Sequence, residues 1–208
     1  MSTRERLIDA AAAIIRDRGI KAVTTKDVAQ EAGFAEATIY RHFQDKTDLL
    51  LHALSERMPG HFLAVLRDLP QRVGRGEVAE HLLELATASV AFFVQNAPFT
   101  AALAADPALA ASHYARLREL GFGPEAAQSA LETYLQDEQR LGRVHPAIDP
   151  AAAANLLFGV CFNYAHAGYV FSASPAGLSQ ERFVRETVRA IMTGLAPRPS
   201  PEATDPDR

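Results

Sequence analysis

Apolar side chains recur every three or four positions along nearly all of this 208-residue chain, and no stretch shows the strict alternation of a half-buried strand. A chain with that single period buries its apolar faces by packing helix on helix. Start and stop residues punctuate it accordingly. The spacing predicts a first helix from about Arg4 to Arg18, with Leu7, Ala11, Ile14 and Ile15 as its buried stripe and Gly19 as its stop. Thr24 and Asp27 have capping-box spacing ahead of a short second helix that ends at Ala32-Gly33. A third helix is expected from Glu36 to Phe43. A fourth, announced by Asp45 and Asp48, runs through Leu49-Leu50-Leu51 towards Arg67, with a kink or break at Pro59-Gly60.

A second helical set follows. One helix is expected from Glu77 to Gln95, with Asn96-Ala97-Pro98 restarting a shorter one. Asp106-Pro107 opens another that ends near Gly121, and Gly123-Pro124 opens one that stops at Gly142. Asp149-Pro150 starts an apolar helix over 150–171, and Ser179 caps a last helix ending at Gly194. That last helix carries the stripe Val184, Val188, Ile191 and Leu195, with Glu181–Arg185 and Arg182–Glu186 pairs opposite. The tail from Pro197 holds four prolines in twelve residues and is expected to be disordered.

Several function classes drop out on composition and motif. The lone Cys161 allows no internal disulfide framework and no four-thiolate metal site, and it suits a reducing cytoplasm. The N-terminus enters an amphipathic pattern directly, unlike a signal peptide. The most membrane-like stretch, 151–171, carries Asn155, Asn163 and His166, polar groups that are costly in lipid, so a buried helix is expected there and no membrane partner. No GxSxG, P-loop or GxGxxG appears, and neither Cys161 nor Ser89 has a His and an acid at motif spacing, so no enzyme and no cofactor are expected. His166 has no accompanying ligand set for a metal. Residues 1–53 hold eight basic and eight acidic residues, so any contact with nucleic acid must come from where particular charges sit.

Those positions are informative between residues 24 and 46. Two short helices joined by Gly33-Phe34-Ala35 make a helix-turn-helix. On the second, Ile39 and Phe43 can pack with Val28, Ala29 and Phe34. Ala37, Tyr40, Arg41 and Gln44 then share the opposite face at i, i+3, i+4 and i+7. A small residue there permits close approach to a groove, Arg41 offers a fork suited to guanine, and Tyr40 offers a hydroxyl. Thr38 and His42 flank that face. Lys46 and the Thr25–Lys26 pair each stand at a helix start, where free amides favour phosphate. The plain alternative is a packing module with a solvated face.

The run from Leu7 to Gly19, then Thr24-Thr25-Lys26-Asp27-Val28-Ala29, then Ala32-Gly33-Phe34 through Tyr40-Arg41-His42-Phe43 to Lys46-Thr47-Asp48-Leu49-Leu50 resembles the DNA-binding domain of TetR/AcrR-type bacterial regulators. The likeness covers residues 4–53 and departs at Ala35, where a hydroxyl residue is usual, and at Glu36, where a basic, small or proline residue is commoner. It implies an all-α homodimer, with an N-terminal three-helix helix-turn-helix domain and a helical ligand-binding and dimerisation domain. In this chain these become residues 1–53 and 54–196, with 197–208 as tail. It further implies phosphate contacts from Thr25, Thr38, Tyr40, His42 and Lys46, and a base-facing set of Lys26, Glu36, Ala37 and Arg41. An acid at Glu36 is repelled by phosphate but can accept from a cytosine amino group.

In the larger domain the candidate ligand-facing residues are Leu85, Ser89, Phe92, Phe93, Phe99, Tyr114, Leu117, Tyr134, Phe158 and Phe162, which serve equally as core. Asn155, Gly159, Asn163 and His166 share one side of 150–171, and this seam is expected to be buried against a ligand, a helix or a second subunit. The resemblance suggests a dimer through helices 150–171 and 179–195. The function expected is a cytoplasmic repressor of a palindromic double-stranded operator, released by a small apolar or aromatic effector. The alternatives are an activator, a co-repressor-dependent regulator, or an all-α small-molecule-binding protein without specific DNA binding.

Overall fold

Ser2 supplies what the head of the first helix lacks. Its hydroxyl accepts the Glu5 amide at 3.2 Å while the Glu5 carboxylate accepts the Ser2 amide at 2.6 Å, a complete capping box from which α1 (Thr3–Arg18) runs to Gly19. The computed structural model, which describes residues 1–55, 60–119, 121, 124–172 and 177–193, builds the rest of the chain in the same way. Thr24 accepts the Asp27 amide at 3.0 Å to cap α2 (Thr25–Ala32). Gly33 ends it at φ 74°, where a Cβ would also stand only 3.2 Å from the Arg6 guanidinium, so glycine answers both conformation and crowding.

The next element differs from its expected form. Glu36–Thr38 is a 3₁₀ turn, and only α3 (Ile39–His42) is α-helical. Ala35 at the cap position has no side-chain acceptor for the free amides, and the first turn tightens. Asp45 Oδ1 accepts the Asp48 amide at 2.8 Å at the head of α4 (Lys46–Ser55). Pro59 lies outside the described residues. α5 (Gly60–Arg72) begins at Gly60 and continues through Pro70, past the expected end at Arg67.

The expected restart at Asn96-Ala97-Pro98 does not occur. α6 is one helix, Val78–Ala104, with Pro98 inside it. A mid-helix proline costs about 3 kcal/mol, and here the buried neighbours Ala97, Phe99, Ala102 and Leu103 offset that. Nearby carbonyls are also occupied: Asn96 Nδ2 donates to Phe92 O at 2.8 Å, and Thr100 Oγ1 to Ala97 O at 2.9 Å. α6, not 150–171, is the one helix among the described residues with the length and hydropathy of a membrane span, and just over half of that stretch is buried in the fold.

α7 (Pro107–Glu119), α8 (Pro124–Arg140), α9 (Pro150–Phe171) and α10 (Gln180–Thr193) complete the chain. Asp106 and Asp149 accept the Leu109 and Ala152 amides at 3.0 and 2.8 Å, as N-caps ahead of proline. Gly123, Gly194, Leu195 and the tail 197–208 lie outside the described residues. On α10 the Glu181–Arg185 pair forms at 3.4 Å, whereas Glu186 pairs with Arg189 at 3.6 Å rather than with Arg182.

Two cores result. The first joins α1 to α4 around Leu7, Ile15, Val28, Ile39 and Leu49, and it takes in Phe99, Leu103 and Leu109 from α6 and α7. The second joins α5, α6, α8, α9 and α10 around Leu69, Leu85, Leu131, Leu157 and Val184. Cys161 is fully buried in the second, its Sγ 3.7 Å from the Ala86 carbonyl, and burial pushes its thiol up to about 12. Between its unfolded value and that raised one the folded state holds the extra proton, so this group's contribution to stability falls as pH rises through that window. In native buffer, Ellman's reagent is therefore expected to label Cys161 no faster than the protein opens, and stoichiometrically in denaturant. Rapid native labelling would contradict the burial.

Candidate nucleic-acid interface and cavity

Ile39 of α3 and Phe43 just after it are buried against Val28 and Ala29, with Phe34 packed at the edge. That packing turns Ala37, Tyr40, Arg41 and Gln44 outward together, and Tyr40 is 58% exposed. Lys26, Glu36, His42 and Lys46 are exposed on the same module, and Thr25 and Thr38 are half-buried. Lys46 is the first residue of α4. One contact was invisible in the sequence: Thr25 Oγ1 donates to Glu36 Oε1 at 2.5 Å. Residues assigned separate tasks thus hold one another, and the link crosses from α2 to the 3₁₀ turn with no local spacing to signal it.

Arg4 and Arg6 fold back over aromatic rings of the module. Arg6 lies over the Phe34 ring at 4.6 Å and donates to the Ala32 carbonyl at 2.7 Å, and Arg4 lies over Phe43 at 5.4 Å. Arg4 also reaches His52 Nδ1 at 2.7 Å, and Arg116 of α7 reaches the same nitrogen at 3.0 Å. Two guanidinium donors make Nδ1 an acceptor, which leaves Nε2 facing the Asp48 carboxylate at 3.3 Å. His52 therefore ties α1, α4 and α7 together.

Beside this junction lies a cavity of about 620 Å³, walled by α5, α6, α7, α8 and α9. Of the candidate ligand-facing residues, Phe92, Phe93, Phe99, Tyr114, Leu117, Phe158 and Phe162 line it. The rings of Phe62 and Phe92 are 4.7 Å apart, and those of Phe93 and Phe162 meet edge-on at 5.5 Å.

Leu85, Ser89, Tyr134, Asn163 and His166 do not line it. Leu85 and Ser89 are fully buried on the α6 half that packs into the second core, with Ser89 Oγ donating to Leu85 O at 2.6 Å. Tyr134 Oη bonds His81 Nδ1 at 2.7 Å, and burial raises the pKa of its phenol. His166 stacks on Phe162 at 5.3 Å. The expected buried seam is not buried in this chain: Asn155, Gly159 and Asn163 are exposed, because the buried face of α9 is Ala154, Leu157, Phe158, Cys161 and Ala165. Asn155 and Gly159 reach the cavity rim, where Asn155 Oδ1 accepts Gln128 Nε2 at 2.7 Å.

The sequence reading missed the α5 wall, Phe62, Leu63, Leu66 and Arg67, although the Phe62–Leu66 spacing carried a usable signal. It also missed Asn96, Thr100, Leu103 and His113. His113 is buried and has no local signal.

Comparison with known proteins bears on both regions. Residues 7–53 match the family profile described as bacterial regulatory proteins, tetR family, and residues 82–197 match the AefR-like transcriptional repressor C-terminal domain. A curated relative, the uncharacterised HTH-type transcriptional regulator YvkB of Bacillus subtilis, is 41% identical over 54 residues, 26% of this chain and 29% of that protein. The chain thus spans under a third of that relative's length. Among solved structures, the fatty acid degradation regulator FadR of Bacillus halodurans superposes with a TM-score of 0.71 at 21% identity, covering 95% of this chain and 98% of that one. FadR of Bacillus subtilis in complex with stearoyl-CoA gives 0.69 at 17%, covering 92% and 99%. At these identities the likeness is one of fold.

Proposed function

Because the chain belongs to the tetR family of bacterial regulatory proteins, we propose that it is a cytoplasmic, homodimeric DNA-binding repressor released from a palindromic operator by a small apolar or aromatic molecule. The observation that carries this reading is a shared pair of residues. Phe99 and Leu103 line the cavity and at the same time pack in the core of the helix-turn-helix module. A molecule seated against them acts on the residues that support α1 and α4. It releases DNA if it binds the non-operator arrangement better, since coupling requires differential affinity. The domain roles follow: residues 1–53 hold DNA, and 54–196 hold the effector and the partner subunit.

Tyr40, Lys46, Thr25, Thr38 and His42 serve as phosphate contacts in this proposal, and Arg41, Ala37, Lys26 and Glu36 face the bases. Exposed Leu156, Val170 and Phe171 on α9, with Met192 on α10, support a twofold contact through these helices. Recognition elements about 34–36 Å apart across that axis reach successive major grooves. The B. subtilis FadR structure, in complex with stearoyl-CoA, supports an effector with an elongated apolar part.

The test is selection of genomic fragments by the purified protein, followed by titration of the best fragment over a range of salt. One enriched short palindrome, with affinity falling steeply as salt rises, is expected. Sequence-blind, weak retention overturns the repressor reading of the free protein. A second expected result concerns Glu36. Glu36→Gln removes a repelling charge from each half-site and loosens its hold on the Thr25 hydroxyl. Affinity for the selected fragment at low salt is expected to rise roughly threefold to tenfold. Weaker binding with relaxed preference at one base pair would instead mark Glu36 as a cytosine reader.

A further inference from the structure

The cavity walls are apolar except at a few places, and these have different settings. Gln128 and Asn155 bond each other at the rim, and Arg67 is exposed. His113 is different. It is 7% exposed, it lines the cavity from α7, and among the described residues neither ring nitrogen has a hydrogen-bond partner. Nδ1 is sealed against protein, so Nε2 is the nitrogen left for the cavity. Asn96, 9% exposed, spends its Nδ2 on the Phe92 carbonyl, which fixes the amide orientation and leaves Oδ1 without a donor among the described residues. Thr100 spends its proton on the Ala97 carbonyl and keeps acceptor lone pairs. An apolar molecule that displaces water from Nε2 and from these acceptors leaves them unpaired, and a ligand group that partners them avoids that cost.

We propose that the effector is an apolar molecule bearing one uncharged hydroxyl, which pairs with the His113 imidazole and is bounded by the free acceptors of Asn96 and Thr100. The inference rests on the reading of this cavity as the effector site and adds the chemistry of its ligand. A hydroxyl meets the donor–acceptor arrangement because it can both give and take. A carbonyl offers nothing to Asn96 Oδ1 or Thr100 Oγ1. A buried carboxylate needs a countercharge, and among the described lining residues the one formal cation, Arg67, is at the exposed edge. Burial also lowers the pKa of His113, which favours the neutral ring and a neutral guest.

The test uses three probes of matched shape, 4-hexylphenol, hexylbenzene and 4-hexylbenzoate, with the full-length protein. Calorimetry is expected to show 4-hexylphenol binding roughly tenfold more tightly than hexylbenzene, with 4-hexylbenzoate weakest. In His113→Phe, which keeps the ring and removes the nitrogens, the phenol's advantage is expected to vanish while hexylbenzene still binds. A ¹⁵N spectrum of the wild-type histidine rings, assigned through their own carbons, is expected to show one Nε2 resonance, that of His113, moving on addition of the phenol. This readout stands even if the variant folds poorly. Equal binding of phenol and hexylbenzene with no resonance shift overturns the hydroxyl and leaves the apolar effector site intact, as does tightest binding of the benzoate. If none of the three binds, the effector-site reading itself fails, and the hydroxyl with it.

Discussion

Tyr40→Ala is expected to weaken binding to the selected operator by roughly a hundredfold or more while leaving the thermal unfolding of the free protein nearly unchanged. The separation of the two effects follows from where the ring lies. Tyr40 is exposed, while its neighbours Ile39 and Phe43 hold α3 in the first core. Truncation removes a hydroxyl and an aromatic face from the exposed side, where the proposal puts DNA, and nothing from the packing side. One hydrogen bond to a charged phosphate contributes about 1.5 kcal/mol or more, and a twofold dimer presents it twice. Lys46→Ala is the companion variant. It is expected to lower affinity evenly across sequences and to reduce the salt slope by about one per subunit, as loss of a phosphate contact does. Fluorescence anisotropy with labelled fragment, alongside a melting curve for each variant, decides the matter. A fall in binding matched by a fall in melting temperature would make Tyr40 a packing residue and overturn its place at the interface.

The exposed face of the helix-turn-helix could be read from sequence because it is local. Ala37, Tyr40, Arg41 and Gln44 lie within eight consecutive residues, and any helical geometry that buries Ile39 and Phe43 turns them outward. Most helix starts were legible for the same reason: Thr24, Asp106 and Asp149 bond amides three residues ahead whatever the tertiary fold. The errors fall where tertiary packing or a missing cap outweighs a local rule. Pro98 should end a helix, and buried neighbours carry α6 straight through it. Glu36–Thr38 should be α-helical, and Ala35 offers no cap. The cavity was half legible because five helices share it. Leu85 and Phe92 stand seven residues apart on one face of α6, but the void lies only beside the later turns, and no periodicity reports position along a helix. His113 becomes conspicuous only when its neighbours are seen to offer it nothing.

Glu138→Ala should be the most destabilising single change, by about 3–5 kcal/mol, or on the order of 10 °C in melting temperature for a chain of this size. Glu138 is fully buried near the end of α8. Its Oε1 accepts the Gly74 amide at 3.0 Å. Its Oε2 stands 2.7 Å from Arg143 Nε, though poorly aligned for a hydrogen bond, so that contact is an ion pair. Arg143 in turn donates to the Gly76 and Arg75 carbonyls at 2.5 and 3.2 Å. One carboxylate thus orders the turn between α5 and α6 and fixes α5, with its cavity residues Phe62 and Leu66, against α8. Removing it strands a backbone amide and leaves the arginine without its countercharge, the arrangement in which breaking a buried pair costs most. Glu138→Gln keeps the acceptor for Gly74 and loses only the charge, so its cost should be smaller, about 1–3 kcal/mol. Urea unfolding of both variants tests the order. The clamp belongs to the second core, whereas Tyr40 is mounted on the first. Glu138→Gln should therefore bind operator normally at temperatures where it remains folded. An alanine variant as stable as the wild type would show that the buried charge contributes nothing to holding the α5 wall.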